Sequence, residues 1–585
     1  MEQMANYYLV LLETSGNQNF IFSTNKLKEN IGASELTYQA GTFWVSWAVD
    51  QVNQQTSFKK CSSSEEFRKA LNSQSKLEET PTQNAEILVG ASGKALVLTR
   101  SEEIAKKIIG QVTHRALKKA PGLDIAGVFV PVEDWGKDGS LHQAIAEVHK
   151  EFEKMRSGRP SPINRFLRLP IIADCAVSEL PAGTFEKLTK AQEHDGKTPS
   201  RISLVSSVKR EIAPKAIERL QAIAKPYQLF RTINDLEKFE EELSWLAIVH
   251  ADGNGLGQIF LNLDKYIDTD NRIYADKFRD FSLALDECTE AAFRSALSVF
   301  ADDKPDEKDK KAIPIVPLIV GGDDLTVVCH GEYALEFTRV FLQEFEKQTA
   351  DHKDIKAIAK KAFGVGKLSA CAGISIIKPH FPFSVAYHLA ERLIKSAKTV
   401  KETVTCVPTD QIEENTPFPC SAIDFHILYD SSGADFDEIR DRLTPEKNVY
   451  LHNRPYVVSE ALEEAEDTGQ QWAASHDWSA LATKIEELNR SETDPKYKDR
   501  PKLARSQCGE LRSALHINKK VADAKYQLIR QRYHTQIFEE DQTQKSLFHQ
   551  DSDHHYSTSF LDALDARDFL TNAENVDNRT TGDDQ

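Results

Sequence analysis

Two adjacent aspartates, Asp323 and Asp324, stand between the apolar runs VPLIVGG and LTVVC, and a third, Asp252, follows the apolar run SWLAIVHA. Neighbouring carboxylates at the tip of a buried hairpin repel one another, and a cation relieves that cost. Their oxygens are hard ligands, suited to Mg²⁺ or Mn²⁺ and unsuited to zinc. If the fold brings Asp252 beside the hairpin tip, the three could hold two such ions, which activate an attacking hydroxyl and neutralise a leaving pyrophosphate. The glycines fit the same chemistry. Gly253, Gly255 and Gly257 form a turn before a helix starting near Gln258, whose N–H groups and positive end suit phosphates. Gly321 and Gly322 let a nucleotide approach the hairpin backbone. Lys398, in LIKSAK at the end of a later helix, is read as a triphosphate contact.

Positioning these groups requires a sheet edge, and the pattern of apolar runs supplies one twice. YYLVLLE (7–13) leads into TSGN much as SWLAIVH (244–250) leads into ADGN, so Ser15-Gly16-Asn17 lies over Asp252-Gly253-Asn254. EILVGASGKALVL (86–98) matches PLIVGGDDLTVVC (317–329) as two β-rich runs around a glycine turn, placing Ser92 near Asp323. LDIAGVFVPV (123–132) and LSACAGISII (368–377) each precede an amphipathic helix. The order strand, helix, hairpin, helix, strand, helix predicts an α+β chain with two ferredoxin-like βαββαβ units, helices on one face of each. Serines stand in the first copy where the second has carboxylates, which makes the first a scaffold and the second the reactive unit.

Length and charge bound the rest. The chain has 585 residues and a net charge of −17, enough for three or four domains. No apolar run approaches a membrane span, and the start lacks the features of a signal peptide; a soluble, cytoplasmic protein without membrane contact is expected. The eight cysteines include no CxxC pair, which argues against a disulfide scaffold and a zinc ribbon. Residues 539–585 carry twelve acidic against three basic side chains, and 496–532 carry eleven basic against three acidic. The first stretch reads as a solvated, partly disordered tail and the second as a helical hairpin with a basic face.

The segments SGNQNFIFSTNKLKENIGASEL (15–36), HADGNGLG (250–257), IVGGDDL (319–325), DFHILYD (424–430) and NRPYVV (453–458) resemble the two-palm large subunit of type III CRISPR effector complexes, and the second unit more loosely resembles GGDEF-type cyclases. The resemblance implies a catalytic palm that joins ATP into 3′–5′ cyclic oligoadenylates by attack of a 3′-hydroxyl on an α-phosphate. It implies that Asp252, Asp323 and Asp324 hold Mg²⁺ or Mn²⁺ with help from the Gly253 carbonyl. It further implies that Asn254, Gly255, Leu256, Gly257 and Lys398 hold phosphates, and that Ser34 of GASEL lines a second nucleotide pocket between the palms. Guide RNA-bearing effector subunits are the implied partners and target RNA the activator, with 496–532 a candidate partner or RNA surface.

Three departures from the family stand out. The chain enters the first palm within ten residues, so the family's HD nuclease activity is not expected, and His194-Asp195 and His476-Asp477 are isolated pairs. The family's zinc-binding CxxC reads Cys175-Ala-Val-Ser178 before Pro181-Ala182, a relic loop without its metal. The DGD form of the first carboxylate motif is Asp252-Gly253-Asn254, which removes one negative charge and could weaken a metal site or alter nucleotide choice. FGVGKLS (363–369) lacks the spacing of a phosphate loop, and His426, Trp472 and Trp478 read as core residues.

The expected organisation is a degenerate first palm at 1–160, a connecting domain at 161–240, a catalytic GGDD palm at 241–430, a helical C-terminal domain at 431–540 and an acidic tail at 541–585. KPDEKDKK (304–311) reads as a charged loop within the second palm. Two alternatives stay open at this level. One is a guide-RNA and subunit scaffold with weak or no catalysis, favoured by Asn254 and the basic segment. The other is a palm cyclase making a different adenylate product.

Overall fold

Long β-branched and aromatic runs place the strands. In a computed structural model, which describes residues 7–59, 61, 63–188, 196–229, 244–300, 312–379, 381–410, 412–429, 435–490, 503–533, 546–550 and 554–570, four strands form the first sheet. They are β1 (Tyr7–Ser15), β2 (Ala85–Ala91), β3 (Lys94–Thr99) and β4 (Asp124–Val132), in the order β2-β3-β1-β4. A ribbon of β5 (Thr184–Phe185) and β6 (Arg201–Ile202) follows. The order then repeats as β8-β9-β7-β10, from β7 (Leu246–Gly253), β8 (Ile315–Gly321), β9 (Asp324–His330) and β10 (Ala370–Ile377). In each unit the opening strand is central, between the second hairpin strand and the last strand, as the βαββαβ pattern requires. The fold is α+β, two ferredoxin-like palms followed by a mainly helical region.

The two hairpins share an irregularity that the sequence did not show. Each has a register shift at the same place, between Ile87 and Val89 in β2 and between Pro317 and Ile319 in β8. Aligned on these bulges, Ser92 falls over Gly322 and Gly93 over Asp323, one residue away from the pairing expected above. A bulge leaves backbone groups outside the ladder, and each palm satisfies those of the other. Ser34, on the helix Leu27–Gly41, donates its hydroxyl to the carbonyl of the extra residue Leu318. Arg279, on the helix Asn271–Ala296, donates to the carbonyl of Ile87, beside the extra residue Leu88, at 3.1 Å. The palms therefore clasp reciprocally, a helix of each lying on the bulged strand of the other.

Helices cover both faces of the second sheet, not one. All eight residues of β10 are buried. Gly373 and Ser375 face the helix Phe383–Ala397: a Cβ at Gly373 would lie 2.1 Å from the Ala390 carbonyl, and Ser375 donates to the Ala386 carbonyl at 2.7 Å. Ile376, on the opposite side of the pleat, lies against Gly331 at the start of the helix Gly331–Asp351. A strand covered twice needs apolar residues at every position, which is why ACAGISII is a continuous run. The sheet also continues past residue 430: β11 (Ala422–Leu428) pairs parallel with β10, and β13 (Tyr456–Val457) pairs with β11. The domain boundary drawn at 430 thus cuts a six-stranded sheet.

The basic segment forms the expected hairpin of helices, Arg505–Ile517 and Lys519–Tyr533; its first residues, 496–502, the pair His194-Asp195 and the expected loop 304–311 lie outside the described residues. The acidic stretch departs from a solvated tail. Within it, β14 (His549–Gln550) and β15 (Tyr556–Ser557) join β12 (Val449–Tyr450) in a small sheet, and the helix Phe560–Ala566 follows. Phe560, Leu561 and Phe569 are buried. Asp562 and Arg454 form an ion pair at 2.9 Å with both side chains fully buried, and Tyr456 donates to Asp562 at 2.7 Å. Two of the acids that suggested solvation, Asp562 and Asp565, are here ion-pair partners of Arg454, and a helix this short carries too little periodicity to be read from sequence.

The CAVSELPA loop closes on itself, with Cys175 N–H donating to the Leu180 carbonyl at 2.9 Å and Ala182 N–H to the Ala173 carbonyl at 2.8 Å. Among the described residues, the one group of three or more His, Cys, Asp or Glu side chains close enough to share an ion excludes Cys175. No described helix is long and apolar enough to cross a membrane.

Candidate metal and nucleotide site

That single group is Asp252, Asp323 and Asp324, each offering one oxygen within 4.8 Å of the others. Backbone pairing explains the convergence. β7 runs antiparallel to β9 with Ala251 opposite Leu325, so Asp252, at the end of β7, meets Asp324 at the start of β9, and the hairpin turn carries Asp323 over both. Gly253 permits the close approach, because a Cβ there would lie 2.9 Å from the Asp323 Cβ and 2.3 Å from Leu256 Cδ1.

The electrostatics of the cluster suit a cation. Burial, with the Asp324 charge added, pushes the Asp323 carboxyl up to about 7, and burial pushes Asp324 up to about 6. The Lys398 ammonium already contacts the Asp252 carboxylate and lies 3.3 Å from the Gly253 carbonyl. It occupies the place of a cation against two of the oxygens expected to bind metal. Burial, followed by repulsion from Lys401, lowers Lys398 to about 8. Hard oxygens, carboxylates costly to ionise without a counter-charge, and a cation drawn to them together fit Mg²⁺ or Mn²⁺.

A pH dependence follows. The folded-state carboxyls lie above the ~3.9 of an unfolded aspartate, so between about 4 and 7 the folded chain binds more protons than the unfolded one, and metal-free stability falls as pH rises through that window. Cation binding requires the ionised pair. Mn²⁺ affinity is therefore expected to rise between pH 5.5 and 8 while the metal-free melting temperature falls. Parallel Mn²⁺ titrations and thermal melts check both slopes, and an Asp323→Asn, Asp324→Asn chain should flatten them.

Residues 245–405, the segment that holds all three carboxylates, match the sequence model of the Cas10/Cmr2 second palm domain. The chain is Cas10-like in this segment. No curated protein matches the chain. Similar solved structures include a Csm1-Csm4 cassette in complex with cA4, at 14% identity over 84% of this chain and 64% of that chain with a TM-score of 0.38. Others are the cassette in complex with one ATP (14% identity, 70% and 55% coverage, TM-score 0.40) and with AMPPNP (14%, 68% and 53%, 0.37). The chain spans 53 to 64% of the length of these chains.

Within the Cas10-like palm the remaining expected residues separate. Gly255, at φ 74, caps the helix Leu256–Leu261, so Leu256 and Gly257 lie in its first turn, beside the carboxylates. Gly321 ends β8 at φ 145, and Gly322, at φ 62, forms the hairpin turn together with Asp323. Asn254 turns away into the core. It is 6% exposed, and its amide Nδ2 donates to Ser369 Oγ at 3.0 Å and to the Cys420 carbonyl at 3.1 Å. The missing carboxylate of the DGD form is thus a core residue here, and its change to asparagine takes no ligand from the cluster. Asn254→Asp would set an anionic oxygen against the Cys420 carbonyl. The expected cost is about 1–3 kcal/mol at neutral pH, read as a lowered urea midpoint. Ser34 lies between the palms, as expected of that helix, but buried with its hydroxyl engaged on Leu318.

Sequence reasoning missed Asp286 and Thr289, on the helix Asn271–Ala296. Asp286 Oδ1 accepts the Gly322 N–H at 2.9 Å, and Thr289 donates to the Gly322 carbonyl at 2.5 Å. Both ends of the turn peptide are held, which fixes the backbone that carries Asp323 and Asp324. The one signal in the sequence was a pair of acids at i and i+4, Asp286 and Glu290, with Thr289 on the same helix face. His426 is the core histidine expected, lowered to about 3 by burial and then by Arg454 and Arg440.

Proposed function

We propose that the chain is an ATP-using nucleotidyltransferase of a type III CRISPR-like defence system, making cyclic oligoadenylates. The observation that carries this reading is the convergence of Asp252, Asp323 and Asp324 at one sheet edge of a Cas10-like palm. Asp252, Asp323, Asp324 and the Gly253 carbonyl are the ligands for Mg²⁺ or Mn²⁺. A bound divalent cation lowers the pKa of the attacking hydroxyl and neutralises the leaving pyrophosphate. The chain's own groups do the rest. The first-turn N–H groups of Leu256 and Gly257, which have no carbonyl partner within their helix, hold phosphate oxygens. Lys398 exchanges its contact with Asp252 for the triphosphate when the cluster fills with cation. The turn glycines leave room for the nucleotide against the hairpin backbone. The 3′-hydroxyl of one ATP gives its proton to solvent water as its oxygen bonds to Pα of another, the Pα–O bond to the β-phosphate breaks, and pyrophosphate departs.

Effector subunits carrying guide RNA, with target RNA as activator, are the partners in this reading, and the hairpin 505–533 is the candidate surface for them. The test is labelled ATP with Mg²⁺ or Mn²⁺, products resolved by mass, with the chain alone and with its co-purified subunits, guide RNA and target RNA. Adenylates with 3′–5′ linkages support the reading and identify the product. No product from the assembled, RNA-activated complex overturns it.

A further inference from the structure

By strand register the first palm has Glu13, and not Ser15 as the sequence suggested, at the position that matches Asp252, and Gly93 at the one that matches Asp323; it reaches the hairpin tip of the second palm through an arginine. Arg68 lies on the helix Ser64–Asn72, between the first sheet's β2 and the helix Asn271–Ala296. Its neighbour Phe67 is 2% exposed, and a Cβ at Gly90 of β2 would lie 2.9 Å from Phe67 Cζ. The first sheet therefore fixes the base of the arginine. The guanidinium forks onto the other palm. Nη1 meets Asp286 Oδ2 at 2.5 Å and Nη2 meets Glu290 Oε2 at 2.8 Å. These carboxylates sit at i and i+4 on one helix face and would repel each other without it. The other oxygen of Asp286 accepts the Gly322 N–H at 2.9 Å. Gly321 leaves only enough room for this contact, since a Cβ there would lie 2.7 Å from Asp286 Oδ1.

We infer that Arg68 is a positioning residue for the carboxylate cluster, acting from the first palm through Asp286 on the Gly322 peptide and so on Asp323 and Asp324. Its role in catalysis rests on the proposed function; its role in holding the hairpin tip does not. Without Arg68, two shielded carboxylates face each other, and Asp286 swings away or takes up a proton. Either change removes the acceptor of the turn N–H and loosens the tip. A displacement near 1 Å at a reacting centre costs about 100-fold in rate.

The experiment compares the full chain with Arg68→Ala, Arg68→Lys and Lys69→Ala, the last an exposed neighbour serving as control. Amide hydrogen exchange is followed across residues 317–328, with the rest of the second palm as internal reference, and Mn²⁺ binding is measured alongside. Arg68→Ala should raise exchange at 322–324 by ~10-fold or more while the reference peptides stay near wild type, and should weaken Mn²⁺ binding. Arg68→Lys, which keeps the charge but cannot fork onto both acids, should fall between, and it serves alone if Arg68→Ala does not fold. Where the assembled complex makes product, kcat should drop ~100-fold with the KM for ATP within about threefold. Wild-type exchange at 322–324 in a folded Arg68 variant overturns the inference, as does a rise spread evenly over the palm. A wild-type chain that binds no Mn²⁺ and makes no product defeats the proposed function and leaves the exchange result to decide the role of Arg68.

Discussion

Changing Asp323 and Asp324 together to asparagine should abolish adenylate synthesis and make the metal-free protein more stable. The two effects share one cause. The carboxyls sit at a sheet edge where burial pushes both up from the ordinary aspartate range, Asp323 to about 7 and Asp324 to about 6. At pH 8 the folded chain therefore holds both in an ionised form that its surroundings disfavour. Asparagine keeps the shape and removes the charge, so the melting temperature at pH 8 should rise. The same change removes two of three charged cation ligands and most of the compensation for charge on the departing pyrophosphate. A loss of ~4–6 kcal/mol of transition-state stabilisation corresponds to about 10³–10⁴-fold in rate. Product formation by the assembled complex and a thermal melt of the chain measure the two sides. An active double variant would remove the cluster from the mechanism, and a destabilised one would contradict the electrostatic account of the site.

Arg454→Ala should be the most damaging substitution far from the cluster. Arg454 and Asp562 are both fully buried in their ion pair. Arg454 also lies 4.3 Å from the centroid of the Phe425 ring in β11 and donates to the Phe425 carbonyl. It joins β11 of the second sheet to the helix Phe560–Ala566. Removing one partner of a buried pair leaves an uncompensated charge and costs about 3–5 kcal/mol. Urea unfolding should show that loss, and amide exchange should show 546–570 releasing first. Arg454→Ala combined with Asp562→Ala should recover part of it, because no lone charge then remains. Removal of 546–585 is expected to be comparably harmful, since it strips Asp562 from Arg454 and uncovers Phe560, Leu561 and Phe569 from the core. A solvated tail would leave stability unchanged in both experiments.

Much of the fold was legible because its signals are local. Apolar runs such as YYLVLLE and ACAGISII must be buried strands, GGDD between two of them must be a hairpin tip, and the repeated order of strands and helices has few compact solutions. Asp252, Asp323 and Asp324 stood out for the same reason, as acids placed at the ends of buried strands. What escaped depends on partners distant in sequence. Asn254 read as a weakened ligand, but its direction is set by Ser369 and Cys420, which only the sheet brings beside it. Ser34 read as lining a pocket, but a bulge in β8 supplies the carbonyl that engages it. The acids near the C-terminus read as solvated, because composition does not reveal an arginine more than a hundred residues earlier.

The sequence alone therefore determined two ferredoxin-like units, the second bearing three carboxylates at strand ends, because strand, turn and charge are properties of short windows. The tertiary structure decided that the carboxylates meet, that Lys398 lies against Asp252, and that Asp286 and Thr289 hold the hairpin turn. Those facts rest on distances between residues from 33 to 146 positions apart along the chain. Only the packing of helices on both faces of the second sheet, and of one palm on the other, fixes them.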